Sequence, residues 1–255
     1  MRISILTIFP DFFPPALGEG MIRAARERQK LATDIVHLRD FTDDSHRSTD
    51  DYPFGGGVGM IMKVEPIDRA LASLNIGAKS ERAAGTKVVL LSPQGRRFDQ
   101  STAIEYAALS HLVLVCGRYK GVDERVSEQL CDEELSIGDF VLSGGEPVAL
   151  CIVDAVARLL PGVVGDFDSV ESDSFHSGLL DSPYYTRPAE YRGWPVPEVL
   201  LSGNHAAIAR HRREQALRRT FERRPELLDH LELSAEDRRF LRTLGPIRGG
   251  RTSGA

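Results

Sequence analysis

Short strand-like apolar runs take turns with helical patterns along the first 160 positions. β-branched runs at residues 2–9 (RISILTIF), 35–41, 87–92, 112–116 and 134–137 predict five strands. Between them, residues 17–30, 65–75, 99–109, 122–130 and 146–160 carry apolar positions at helical spacing, the last stopped by Pro161 and Gly162. Strands separated by single helices predict an α/β domain over residues 1–161, with a parallel sheet covered by helices on both faces. The pattern then lapses. Residues 162–172 (GVVGDFDSVES) hold three acids, two glycines and no base, which reads as a mobile acidic linker. Residues 173–245 open with an irregular stretch rich in Pro and Tyr. A helix at 205–224 follows, with Asn204 as its cap, and another at 235–244, with Ser234 as cap and Asp237 three residues on. This is a small, mostly helical second domain. The tail 246–255 has little apolar content and is expected to be disordered.

Composition narrows the class. Apolar residues make up 42% of the 255 positions and charged residues 27%, which excludes a disordered chain or a fibre. No apolar run reaches the ~18–20 residues that cross a bilayer, and the N-terminal strand is too short for a secretory signal. Cys116, Cys131 and Cys151 are odd in number and lack CxxC spacing, so neither a disulfide framework nor a zinc site is expected. A reducing cytoplasm is the default compartment. The net charge of −5 is unevenly spread: residues 1–200 carry −10 and residues 201–255 carry +5. The basic end suits an anionic partner, nucleic acid above all, while the acidic remainder argues against a general coat for DNA. A membrane is not an expected partner.

Ligands of open parallel sheets bind beyond the C-terminal ends of the strands. Three such ends run into glycine-bearing loops, at residues 92–97, 117–121 and 136–147. Glycine lets main chain approach a ligand closely, and three neighbouring loops of this kind suit a flat heterocycle read by backbone contacts. The plainer reading of each loop alone is a tight turn. Neither GxGxxG nor GxxxxGK[ST] occurs, which argues against a Rossmann dinucleotide enzyme and a P-loop NTPase. Histidines show no HxxxH spacing, so no dedicated zinc site is expected.

The chain resembles the bacterial tRNA (guanine-N1)-methyltransferases, which methylate the guanine just 3′ of the anticodon. The resemblance is carried by DDYPFGGGVGM at 50–60, LSPQG at 91–95, CGRY at 116–119, DER at 123–125 and SIGDFVLSGGE at 136–146. It continues through PGV at 161–163, DSF at 173–175, GLLD at 178–181, YTRP at 185–188, VLLSGN at 199–204 and RRPELL at 223–228, in order and over nearly the whole chain. It implies a trefoil-knotted α/β fold of the SPOUT class, S-adenosylmethionine as methyl donor, tRNA as partner, and a homodimer sharing its site between subunits. The implied donor-binding residues are Ser92, Pro93, Gln94 and Gly95, then Gly117, Arg118, Tyr119 and Gly121. In the third loop they are Ser136, Ile137, Gly138, Asp139, Phe140, Val141, Leu142, Gly144, Gly145 and Pro147.

Guanine N1 carries a proton and is a poor nucleophile. Its methylation needs a base at N1 and a cation near O6. The resemblance puts the base on Asp173 and the cation on Arg158, where the plainer readings are a turn aspartate and a helix-end charge. It puts His46, Asp50 and Gly55 near the RNA. Arg187 is matched in YTRP, and Arg210, Arg218 and Arg219 lie on a helix holding seven arginines against two glutamates. One position departs: relatives usually read GRYEG where this chain has GRYKG, so Lys120 replaces an acid. That weakens the expectation of Mg²⁺ beside the reacting base, and suits the donor's carboxylate or an RNA phosphate instead. Two rival readings are a knotted ribose 2′-O-methyltransferase and an RNA-binding relative that has lost catalysis. The Asp173 motif argues against the first, and the intact donor loops against the second.

Overall fold

The computed structural model describes residues 1–164 and 173–245. The linker assigned to 162–172 lies outside the described residues from 165 onward, and so does the tail 246–255. The chain divides into two compact units, Met1–Phe167 and Asp168–Ala255.

The first unit is a five-stranded sheet of β1 (Arg2–Thr7), β2 (Ala32–His37), β5 (Thr86–Arg97), β6 (His111–Cys116) and β8 (Glu133–Ser136), in the order β2-β1-β6-β5-β8. Every neighbouring pair is parallel. Because side chains alternate across a strand, one face takes Ile3, Ile5, Val89, Leu91, Leu112, Leu114 and Leu135, all buried. That face packs on α4 (Gln100–Ala107) through Tyr106 and on the long helix α5 (Glu146–Ala157) through Val148, Ala149, Ile152, Val153 and Val156. The other face takes Leu6, Val88, Leu90, Val113 and Val115 against α3 (Val64–Ser73), which contributes Ile67, Ala70 and Leu71. Burial on both faces is why these strands read as nearly continuous apolar runs. A small second sheet joins β3 (Asp50–Asp51), β4 (Ile61–Met62) and β7 (Gly121–Val122).

Four sequence expectations change. The strand expected at 35–41 is β2, pairing from Arg2↔Ala32 onward and giving way to a 3₁₀ turn at Leu38–Phe41. The helix expected at 17–30 is two short ones, α1 (Pro14–Leu17) and α2 (Gly20–Glu27), parted where Gly20 takes a φ of +56°. The helix expected at 122–130 is reduced to β7 and a π turn, Val126–Leu130. The strand expected to end at 92 runs on to Arg97: Leu91 and Arg96 both pair with Leu135, so residues 92–95 are thrown out of register as a bulge.

The second unit holds α6 (Glu198–Leu201), α7 (His205–Arg223), a 3₁₀ turn at Pro225–His230 and α8 (Ala235–Thr243), with a two-stranded ribbon, Glu190–Tyr191 with Trp194–Pro195. The Asn204 side chain accepts from the Ala207 amide at 3.1 Å, and Ser234 and Asp237 form a reciprocal capping box. Its core is small: Leu179, Leu217 and Leu228 with Phe221, Leu231 and Phe240 around them. Among the described residues no helix is long and apolar enough to cross a membrane.

Candidate functional site

The three glycine loops meet at the C-terminal edge of the sheet and line one cleft of about 210 Å³. Of the expected donor-binding residues, Ser92, Pro93, Gln94, Gly117, Arg118, Tyr119, Gly121, Ser136, Ile137, Gly138, Phe140, Val141, Leu142, Gly144 and Gly145 line it. Gly95, Asp139 and Pro147 do not. Gly95 lies under the β5–β8 pair, Asp139 points outward to the Arg97 guanidinium at 2.7 Å, and Pro147 occupies the first turn of α5. Leu91, Leu135, Ile137 and Val148 supply apolar wall, and Phe140 and Val141 stand exposed at the rim.

Main-chain contacts hold the loops together. The Gly145 amide donates to the Gly117 carbonyl at 2.9 Å, Arg118 and Gly144 form a β-bridge, and the Phe98 amide donates to the Ser136 carbonyl at 2.7 Å. The packing leaves no room for side chains. A Cβ on Gly95 would sit 2.2 Å from the Glu134 carbonyl carbon, and one on Gly145 would sit 2.8 Å from the Cys116 Cα. Beneath the loops, Glu146 is buried at 2% exposure; it accepts from the Thr7 hydroxyl at 2.8 Å and from Arg118 at 3.5 Å. The Arg118 guanidinium also lies 4.5 Å from the Phe9 ring centre. Burial pushes the Cys116 thiol well above its ordinary value and that of Cys131 up to about 12, so neither is a thiolate nucleophile at neutral pH.

The small sheet brings a second group of expected residues to the same edge. The pairing of β4 with β7 carries the glycine-rich 55–59 turn against the 117–121 loop. Asp50 lies beside Tyr119, and burial together with that carboxylate raises the Tyr119 phenol above its ordinary pKa. Tyr119 itself holds a φ of +60°, a left-handed backbone in a residue that rarely adopts it. Gly55 is exposed, with a φ of +81°. His46 is exposed in a turn organised by Asp44, whose carboxylate accepts from the His46 amide at 2.9 Å.

Arg158 is the C-terminal cap of α5, half-buried. The cleft is at the other end of that helix, about 18 Å away by the rise of twelve helical residues. Asp173 stands half-buried in a turn of the second unit, its carbonyl accepting from the His176 amide at 3.2 Å. Of the cationic residues in that unit, Arg210 pairs with Glu236 at 3.4 Å, and Arg218 lies 5.6 Å from the Phe240 ring centre. Arg187 and Arg212 flank a shallow hollow that also takes in Tyr184 and Tyr185. Lining residues that the sequence reading passed over include Ser127 and Glu134, while Glu124 entered it only within the DER motif. The DER motif at 123–125 was the available signal: Asp123 turns back to bind Arg125 at 2.7 Å, leaving Glu124 and Ser127, one turn apart, toward the cleft.

The tRNA (guanine-1)-methyltransferase family model, TrmD, matches residues 1–230. The chain belongs to that family. It is 52% identical to the tRNA (guanine-N(1)-)-methyltransferase of Moorella thermoacetica, over 99% of this chain and 100% of the relative. It is 50% identical to the one from Koribacter versatilis, over 96% and 98%. The protein named likewise in Symbiobacterium thermophilum is 52% identical, over 94% and 97%. Family membership makes the chain a methyltransferase-type enzyme, whose reaction needs a methyl donor. Among the described residues no three His, Cys, Asp or Glu side chains converge as metal ligands.

Proposed function

We propose that the protein transfers the methyl group of S-adenosylmethionine to N1 of the guanine immediately 3′ of the anticodon in tRNA. The observation that carries this reading is the convergence of three glycine loops on one cleft, in a chain of this family. The walls fit the donor: apolar Leu91, Ile137 and Val148 suit an adenine ring, and the loops' main-chain amides and carbonyls would be the groups to bind its polar edge. Bound there, the donor supplies an electrophilic methyl on a sulfonium. We read the interlocked 92–97, 117–121 and 136–147 loops as the trefoil knot of the SPOUT class.

The chain's own residues then manage the guanine. Asp173 takes the N1 proton as the nitrogen attacks, and Arg158 stabilises the charge that gathers on O6. Asp50, Gly55 and His46 border the nucleotide, while Arg187, Arg210, Arg218 and Arg219 hold backbone phosphates. Arg158 is too far along α5 to reach the cleft of its own chain, which supports a homodimer in which a second copy completes the site. The enzyme works in the cytoplasm, on tRNA. Methyl transfer to tRNA transcripts with G or A next to the anticodon tests the whole reading. Product methylated at N1 is expected from the G transcript and none from the A transcript. A methyl on ribose, or none with either, would overturn it.

A further inference from the structure

Two cations line the cleft, Arg118 and Lys120, and they are placed differently. Arg118 is committed to Glu146 and to the Phe9 ring. Lys120 is exposed and makes no ion pair with any described residue. Its root is nevertheless fixed: the Lys120 amide donates to the Met60 carbonyl at 3.1 Å, and its Cβ lies 3.0 Å from the position a Cβ on Gly59 would take. The backbone is thus clamped between the cleft and the glycine-rich turn, while the side chain stays exposed on the cleft wall. The remaining ionised groups on the wall are the carboxylates Glu124 and Glu134. With Arg118 neutralised by Glu146, the wall offers two negative charges and one positive one.

We infer that Lys120 binds the carboxylate of the donor's amino-acid end. This rests on the reading of the cleft as the donor site. S-adenosylmethionine carries a sulfonium, an ammonium and one carboxylate, two positive charges and one negative. The wall carries the complementary set, and Lys120 is its sole uncommitted cation. An anion placed against Glu124 and Glu134 without Lys120 would meet only like charge. A lysine on a clamped backbone loses little freedom beyond its own side chain on binding, and its ammonium reaches the carboxylate as a point charge.

The test compares two ligands by calorimetry on the full-length protein. S-adenosylhomocysteine keeps the carboxylate, and 5′-methylthioadenosine lacks the whole amino-acid end. In Lys120→Gln the Kd for S-adenosylhomocysteine should rise about fivefold to tenfold, the worth of a charge-assisted bond at a half-open site. The Kd for 5′-methylthioadenosine should stay within about twofold, and Lys120→Arg should restore most of the loss. Equal changes for both ligands, or none for either, would overturn the assignment while leaving the cleft as the donor site. If neither ligand binds the wild-type protein, the donor reading itself fails and this inference falls with it. An unchanged donor affinity with a shallower salt dependence of tRNA binding would give Lys120 to an RNA phosphate instead, and would also overturn it.

Discussion

The two units of the chain make their functional surfaces from different material. In Met1–Phe167 the cleft is shaped by glycine loops whose main chains are pressed together so closely that a single methyl group at Gly95 would overlap the neighbouring strand. In Asp168–Ala255 the candidate surface is side chains: arginines on a helix whose core rests on three buried leucines. A surface made of backbone has no slack, since its shape is the fold. A surface made of long cations is graded, since each contributes a small share that salt can screen. Substitutions at the loop glycines should therefore act through folding and shape, and those at the helix arginines through affinity alone.

The largest expected effect tests whether chemistry resides in the second unit. Asp173→Ala should lower single-turnover methylation by ~10²–10⁴-fold, with donor binding unchanged by calorimetry. A loss under about threefold, well short of the tenfold that ~1.4 kcal/mol represents, would mean that another group takes the proton.

Next comes the rigidity of the first unit. Gly95→Ala places a Cβ 2.2 Å from backbone of Glu134 and Leu135, atoms that cannot step aside without moving β8. Overpacking of this kind costs about 1–3 kcal/mol, so the denaturation midpoint should fall and the hydrogen exchange of β5 and β8 should quicken. Native stability with ordinary donor affinity would show that the bulge yields.

The contrasting case is Arg210→Ala with Arg219→Ala. Losing two phosphate contacts should weaken all tRNAs alike, by about tenfold, and reduce the slope of log K against log salt by roughly 1–2. Stability should move by less than about 0.5 kcal/mol. Selective loss of one tRNA species would contradict a phosphate role.

The smallest effect concerns what holds the second unit together. The Arg213 guanidinium binds Asp237 at 2.9 Å, and Asp237 also closes the capping box with Ser234. Arg213 first, and then the Ser234 amide and hydroxyl, hold the Asp237 carboxyl below its ordinary value of 3.8 against the opposing effect of burial. A depressed carboxyl stabilises the fold above its unfolded pKa and loses that contribution as pH falls through the folded value. Asp237→Asn should therefore cost about 1 kcal/mol at pH 7 and almost nothing near pH 2, by thermal denaturation at each pH.

Much of this was readable in the residues. Strands β1 and β6 follow from short, nearly continuous apolar runs, α5 from its apolar length before Pro161, and the α8 cap from Ser234 and Asp237. The meeting of three loops followed from parallel strands ending in glycines. What stayed hidden depends on contacts distant in sequence. Pro93 and Gly95 look like the end of a strand, and only the double pairing of Leu135 shows that β5 continues. The π turn at Val126–Leu130 shares its apolar spacing with an α-helix. Nothing local marks Tyr119 for a left-handed backbone. Arg158 could be matched to a role by resemblance, but its separation from the cleft needed the length and direction of α5.

The sheet order has a consequence for how the chain is made. Of the sheet's five strands β1 leaves the ribosome earliest; it is an interior one, and on one side it waits for β6, since Arg2 pairs with His111. At bacterial synthesis rates of ~5–20 residues per second, that partner emerges roughly 5–20 s later. Until then Ile3, Ile5 and Leu6 have β2 alone beside them, and an open strand edge of this kind is what chaperones cover and what aggregates recruit. The site therefore comes into being late, when β8 has added its edge and α5 has closed over the sheet. A nascent chain halted before residue 111 holds two of the strands that will form the sheet's middle and none of the pairing between β1 and β6 that joins them.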